Sequence, residues 1–289
     1  MEVLHFLNQQ WVDNWPGIKF MFVAYGIGLA IETLRPAETN QSSANIRFNF
    51  IHGFFFVLFN SIALSVVSGV GEPIREFLGG PYIQLQFYDS LLGEIGYTFC
   101  FILVFDFFYY WLHRLQHKSP WLWAQHKMHH SEKSLNITTH SRFHWLESSF
   151  WVFFISIPMG VLFELTPGKL GLIWSVYMLW GFFIHMNLKL SFGWFTGVIA
   201  GPQYHRIHHS DLIQHKDKNF SATLPLYDRL FGSYYGPEKN EYPTTGLFDG
   251  EDMNNLLVAW FSPFKDWYQQ LRSLVKNEDT KVEEKTGDG

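Results

Sequence analysis

Long apolar blocks are the feature of this 289-residue chain that most restricts its fold. Crossing the ~30 Å hydrocarbon core of a membrane takes roughly 20 mostly apolar residues in a helix. Five blocks meet this requirement fully or nearly: 18–34, 48–70, 91–112, 148–165 and 169–188. The last two are separated only by Thr166-Pro167-Gly168, a turn signal that favours a hairpin entering and leaving by one side. We therefore expect an all-α fold, a multi-pass membrane helical bundle with a cytosolic His-rich helical cap.

The distribution of Lys and Arg predicts the orientation of these segments. Residues 1–17 contain none, whereas 113–147 contain five and the chain after the hairpin contains eleven. Because positive charge marks the cytoplasmic side, we expect an integral membrane protein of a bacterial inner membrane, or of the endoplasmic reticulum, with a cytoplasmic active site. Six regions follow: an N-terminal interfacial segment 1–17, three transmembrane helices in 18–112, a first cytosolic histidine region 113–147, a hairpin 148–188, a cytosolic cap 189–275 and a disordered tail 276–289. In the cap, Ser262-Pro263 predicts the start of an amphipathic helix.

Eight of the 14 histidines fall in three short windows at the ends of these segments. They are His113, His117, His126, His129, His130, His205, His208 and His209. Positions i, i+3 and i+4 share one helix face, so each window can direct its imidazoles at a common centre. Neutral imidazole is a common ligand for iron, zinc and copper. His185, at the end of the hairpin, is either a ninth ligand or a helix-end histidine at the membrane surface.

The number and type of ligands narrow the metal. The single cysteine, Cys100, excludes a Cys-ligated zinc or iron–sulfur site. Eight or nine imidazoles exceed the four ligands of structural zinc and the one or two of a haem. Two redox-active ions fit better, and we expect two iron ions, with copper or manganese left open. A net charge of −5 without a basic run predicts no nucleic-acid partner.

Three further side chains are candidates for supporting the ligands or the reaction: Asp106, Tyr110 and His144. Asp106 and Tyr110 lie on the helix face that carries the first histidine window. An ionisable group within a membrane span suggests a function. We expect the Asp106 carboxylate to accept the outer ring N–H of a ligand histidine. The alternative is that a side chain of a neighbouring helix satisfies the carboxylate. Arg142, His144 and Glu147 could orient ligands or a lipid headgroup, or could begin a solvated helix. His5, His52, His140 and His215 are interpreted as structural or surface residues.

Several ordered motifs resemble the fatty acid hydroxylase/sterol desaturase superfamily over about residues 95–235. They include Asp106-Phe-Phe-Tyr-Tyr-Trp-Leu-His113, Trp123-Ala-Gln-His126-Lys-Met-His129-His130, Phe183-Ile-His185-Met-Asn187, Pro202-Gln-Tyr-His205-Arg-Ile-His208-His209 and Leu226-Tyr-Asp228-Arg229-Leu-Phe-Gly232. The resemblance implies a membrane di-iron enzyme that uses O₂ and two electrons to hydroxylate or desaturate a lipid. The eight clustered histidines match the family's ligand motifs and His185 its intervening histidine; where some members carry another, this chain has Lys189.

The resemblance also implies an external electron donor, such as cytochrome b5, a ferredoxin or a reductase. No donor motif is recognised in the chain, and Arg114, Lys118, Lys127 and Lys133 could dock an acidic one. A membrane dinuclear metallohydrolase is an alternative, although the histidine windows contain no bridging carboxylate. A metal transporter is a second alternative, although a transporter would place its ligands in the middle of the membrane and these histidines lie at the ends of the predicted spans. The substrate stays open among acyl chains, sterols, ether lipids, carotenoids and aminolipids.

Overall fold

Ten α-helices form the part of the chain that this computed structural model describes, which is residues 2–83, 90–163 and 167–287. Side chains are described except in 1–8, 10, 63–72, 84–89, 164–174 and 276–289. The helices are α1 (Glu2–Glu32), α2 (Ser43–Phe77), α3 (Leu91–Lys118), α4 (Pro120–His130), α5 (Glu147–Trp151), α6 (Ile157–Leu162), α7 (Pro167–His185), α8 (Pro202–His208), α9 (Leu226–Leu230) and α10 (Leu256–Gly287). Within these residues there is no β-strand, only isolated bridges, which confirms the all-α class.

Capping residues explain where the long helices begin. Ser42 and Ser90 accept hydrogen bonds from the backbone N–H groups of the first turns of α2 and α3. Proline opens α4 and α8, where its missing N–H leaves no helical bond unmade. Between α5 and α6 the backbone forms a π-helical turn, Val152–Ser156, which ends just before the helix that contains Pro158. The chain 147–162 is therefore one helical arm with a local change of pitch.

Two apolar clusters hold the histidine-bearing helices in place. In the first, Phe101 and Phe105 of α3 pack against Ile155 and Met159 of the helical arm. In the second, α1 and α7 pack around the 3₁₀ turn Ile137–Ser141. Gly28 permits that contact, because a Cβ there would lie 2.1 Å from the Cδ1 atom of Ile137. The ends of α3 and α7 are thereby fixed on either side of α4.

Helix α10 differs from the sequence prediction at both ends. It begins at Leu256, because the side chain of Asn255 accepts the N–H groups of Leu257 and Val258 and caps the first turn. Ser262 and Pro263 therefore lie inside the helix, and the predicted tail continues it to Gly287. The helix packs on α4, where Trp267 Nε1 donates to the Trp121 carbonyl at 2.7 Å.

Within the described residues, α3 is the helix long and apolar enough to cross a membrane, and only 22% of its most apolar window is buried inside the protein. The apolar stretches Glu147–Leu162 and Ser175–His185, which correspond to the predicted hairpin arms, are shorter. The predicted turn falls partly outside the described residues, since 164–166 are among those left out and α7 begins at Pro167. Five spans therefore stay a prediction.

Candidate metal centre

The structure brings together all nine histidines singled out in the sequence, in two adjacent groups. The first group is His113, His117, His126, His130 and His208; the second is His129, His185, His205 and His209. Within each group, one ring nitrogen per residue lies within 4.8 Å of every other. The rings come from the end of α3, from α4, from the last residue of α7 and from α8 with its C-cap. The two groups touch where the rings of His130 and His209 stack, with centroids 4.4 Å apart.

In the first group, two ring nitrogens face one another in a way that a hydrogen bond between neutral rings cannot explain. His113 Nδ1 donates to the Phe220 carbonyl at 2.7 Å and His208 Nδ1 to the Lys218 carbonyl at 2.8 Å. A carbonyl only accepts, so each Nδ1 carries the proton and each neutral ring keeps a lone pair on Nε2. Those two Nε2 atoms lie 2.9 Å apart. Two lone pairs at this distance repel unless a cation lies between them.

The second group has similarly short distances between ring nitrogens. His185 Nδ1 donates to the Gly181 carbonyl at 2.7 Å, and its Nε2 lies 3.2 Å from His129 Nε2 and 3.0 Å from His205 Nε2. Ligand nitrogens about 2.1 Å from one ion and at right angles to each other are ~3 Å apart. The spacing of the nitrogens in both groups thus fits two coordinated ions.

Burial keeps these imidazoles in the form that binds metal. Burial and the neighbouring rings hold the pKa of His129, His130, His205 and His209 well below its usual range. Burial also lowers the pKa of His208 to about 4. The rings are therefore neutral at physiological pH, and neutral imidazole is the ligand form.

Glu147 supports the first group directly. Its Oε1 accepts from His126 Nδ1 at 3.1 Å and from Gln116 Nε2 at 2.8 Å, and the carboxylate is buried. A carboxylate on the outer nitrogen fixes the tautomer and the orientation of a ligand ring. The sequence analysis gave Glu147, with Arg142 and His144, either as a group that could orient ligands or a lipid headgroup or as the start of a solvated helix, and the structure bonds its carboxylate to a ring of the centre.

Asp106 has no ligand ring as a partner, and its contacts agree in part with the alternative, a carboxylate satisfied by a neighbouring helix. It accepts the N–H groups of Thr223 and Leu224, at 3.1 and 2.5 Å, and the Tyr177 hydroxyl at 3.2 Å. It precedes His113 by seven residues, about 10 Å along a helix, which is too far for a hydrogen bond to that ring. The carboxylate instead anchors the loop whose Phe220 carbonyl accepts from His113.

Tyr110 and His144 also bond outside the centre. The Tyr110 hydroxyl contacts Ser233 Oγ at 2.8 Å, and His144 Nε2 donates to the Trp260 carbonyl at 2.9 Å. Lys189 stands where some members of the family named above carry a further histidine. Its side chain is exposed, and its Nζ lies 5.9 Å from the centre of the Tyr242 ring.

Arg142 fixes the end of α4, which carries three of the nine rings. The guanidinium is fully buried; it donates to the Met128 carbonyl at 3.1 Å and to Ser131 Oγ at 2.9 Å. It also donates to Asn49 and pairs with the buried carboxylate of Glu132. Glu132 was missed from the sequence, because one acid beside a histidine window has no spacing that distinguishes it.

Two openings of opposite character reach the centre. A polar cleft of about 330 Å³ is bounded by His117, His130 and His208 of the first group and by Trp123. A largely apolar cavity of about 290 Å³ ends on His185 of the second group. Its walls include Phe143, Trp151 and Tyr177, with His140 beside His185. The five-histidine group thus faces water, and the four-histidine group faces an apolar space.

Comparison with known proteins agrees with this geometry. Residues 98–233 match the family model "Fatty acid hydroxylase". An alkylglycerol monooxygenase of Xenopus tropicalis is 34% identical over 137 residues, which are 47% of this chain and 30% of that protein. The human alkylglycerol monooxygenase is 29% identical over 258 residues, 89% of this chain and 53% of the relative. The ornithine lipid hydroxylase OlsE of Rhizobium tropici is 28% identical over 163 residues, 56% of this chain and 49% of the relative.

The chain spans between about a third and a half of the length of these relatives. No solved structure matches it significantly. The matched region nevertheless contains every histidine of the two groups, the carboxylate Glu147 and the loop anchored by Asp106. Residues 98–233, which carry the whole centre, are thus similar to the fatty acid hydroxylase family.

Proposed function

We propose that this chain is an integral membrane di-iron oxygenase that hydroxylates or desaturates a C–H bond of a lipid, with O₂ and electrons from an external donor. The observation that supports it most is the pair of histidine groups whose ring nitrogens lie 2.9–3.2 Å apart, one of them at the end of an apolar cavity. The relatives whose names describe monooxygenation or hydroxylation of lipids point to the same chemistry.

The two groups would hold one iron ion each. Bound iron would supply the activation of O₂. The first group offers five imidazoles and the second four, so an octahedral ion in the second group keeps positions free for a small ligand. Among the described residues, neither group includes a carboxylate. Neutral ligands suit redox-active iron, and the lack of a bridging carboxylate disfavours the hydrolase alternative.

The apolar cavity would hold the reacting part of the lipid and exclude water from it. Phe143 stacks on His129, with centroids 4.3 Å apart, and lines the same cavity that His185 closes. The substrate would therefore approach the four-histidine group, and this chain's aromatic side chains would position the C–H bond. Whether an alcohol or an alkene forms depends on that placement.

Electrons would reach the first group through the polar cleft. The half-buried Trp123 ring lies there, with its centre 5.0 Å from that of His117 and 5.5 Å from that of His130. Two of the four basic residues proposed for docking an acidic donor are in ion pairs: Lys118 with Asp217, and Lys127 with Glu251 and Asp266. The other two, Arg114 and Lys133, donate to backbone carbonyls. Shape and the half-buried tryptophan, rather than net positive charge, would select the donor.

The membrane arrangement belongs to this proposal. α3 would cross the bilayer, and the apolar parts of α1, α2 and the 148–188 hairpin would accompany it, as the six-region map predicts. The histidine centre would lie at the cytoplasmic surface, where Lys and Arg accumulate in the sequence.

Metal analysis combined with O₂ consumption tests the proposal. The purified protein should contain two equivalents of iron, and it should consume O₂ only when a reductant and a lipid extract are present. His129→Ala and His208→Ala should each lose iron and activity, whereas His215→Ala, outside both groups, should keep its iron. Mass spectrometry should find a lipid that gains one oxygen or loses two hydrogens. Bound zinc with turnover that needs no reductant would overturn it.

A further inference from the structure

The apolar cavity below His185 continues into a second space. This outer cavity, about 590 Å³, lies between α1, α2 and α7, where Gly17, Val57 and Phe182 line it. The two cavities share five wall residues: Phe56, Asn60, His140, Ser141 and Met178. These five residues, the junction, therefore separate a cavity between the predicted membrane helices from one that ends at the four-histidine group.

The junction contains two buried polar atoms without a hydrogen-bond partner in the described structure, Asn60 Oδ1 and His140 Nδ1. Phe56 and Met178 complete most of the wall around them. Buried polar atoms nearly always have a partner, so each exception requires an explanation. A passage for plain hydrocarbon needs neither atom. One oxygen acceptor and one ring nitrogen at a cavity junction are instead suited to a polar group on a ligand.

The His140 ring is held in place and lies close to the centre. Its centre is 4.5 Å from that of the Phe182 ring and 5.3 Å from that of His185. On another side it contacts Gly181, where an added Cβ would lie 2.3 Å from the His140 Cε1 atom. The ring therefore cannot turn away freely, and a group hydrogen-bonded to it would lie close to the second histidine group.

We propose, resting on the proposed function above, that Asn60 and His140 bind a hydroxyl or amide group of the lipid substrate close to the carbon that reacts. A hydroxyl both donates and accepts, so it can donate to Asn60 Oδ1 and accept from His140 Nδ1–H. The substrate class is then a lipid with such a group beside its chain, such as a glycerol ether or an N-acylated amine. The oxidised carbon lies near that group and not in the middle of the chain.

Binding of two probes of equal chain length tests this. Radiolabelled 1-O-hexadecylglycerol and hexadecane are titrated without O₂ against the full-length, metal-loaded protein in nanodiscs. The wild type should bind the glycerol ether more tightly. Asn60→Leu and His140→Phe, which keep volume but remove the polar atoms, should each weaken binding of the ether about threefold to tenfold and leave hexadecane unchanged. Met178→Leu, an apolar change in the same junction, should affect both probes equally.

Equal affinities of the wild type for both probes would overturn the inference, and so would variants that weaken both probes to the same extent. Because unchanged hexadecane binding reports an intact cavity, misfolding cannot imitate the expected result. The outcome is also separate from that of the proposed function. A protein that contains two irons and oxidises lipid, but does not prefer the ether, retains its function and loses only this substrate assignment.

Discussion

Replacing Glu147 by alanine should weaken one metal site and spare the other. The carboxylate accepts from His126 Nδ1 at 3.1 Å and from Gln116 at 2.8 Å, and His126 belongs only to the five-histidine group. Outer partners of ligand rings typically contribute 10- to 100-fold in metal affinity, about 1.4–2.7 kcal/mol. Glu147→Gln keeps an acceptor without the charge and should lie between the wild type and Glu147→Ala.

The assay is iron content per chain against the concentration of a competing chelator. The wild type should release its two equivalents together or nearly so, whereas Glu147→Ala should release the first at a concentration ~10- to 100-fold lower. Glu251→Ala is the matched control, because Glu251 pairs with Lys127 of the same helix without touching a ring. The reasoning is refuted if both equivalents leave Glu147→Ala together, or if its release curve coincides with that of Glu251→Ala.

Three further outcomes concern stability. Gly181→Ala should lower the thermal midpoint by an amount equivalent to about 1–3 kcal/mol, because its Cβ would lie 2.3 Å from the His140 ring. Gly26→Ala, which has open space around it, should leave the midpoint unchanged. Equal midpoints for the two variants would contradict this reasoning. Arg142→Met should cost about 3–5 kcal/mol by leaving Glu132 buried and unpaired, and adding Glu132→Gln should recover part of it in chemical unfolding. Removing the metal should lower the thermal midpoint and restoring iron should reverse this, since ions relieve the facing lone pairs; a midpoint indifferent to metal would argue against the centre.

The sequence predicted the eight clustered histidines because their spacing is a local property. Residues at i, i+3 and i+4 share a helix face whatever the rest of the fold does, but tertiary packing divides the second window, with His126 and His130 in one group and His129 in the other. Most of the groups that orient these rings could not be predicted from the sequence, since three of them are backbone carbonyls. The acceptor for His113 is the carbonyl of Phe220, over 100 positions away, and any residue can supply a carbonyl.

Asp106 shows the limit of helical-face arguments. The face was predicted correctly, but the distance along the axis placed the carboxylate beside Thr223 and Leu224 and not beside a ligand ring. At α10, the prediction placed the start at Ser262-Pro263, whereas Asn255 caps the helix in the structure. Periodicity indicates which side of a helix a residue occupies; the long-range contacts of that side come from tertiary packing.

The two openings have a kinetic consequence. In the proposed function, the electron donor would reach the centre from water at Trp123, and the lipid would reach it from between the helices at His185, through a separate opening. Neither would have to depart before the other binds, so a ternary complex would form in either order. Double-reciprocal plots of initial rate for the electron donor and the lipid should then intersect rather than run parallel. An inhibitor that binds between the helices should leave the rate of reduction by the donor unchanged.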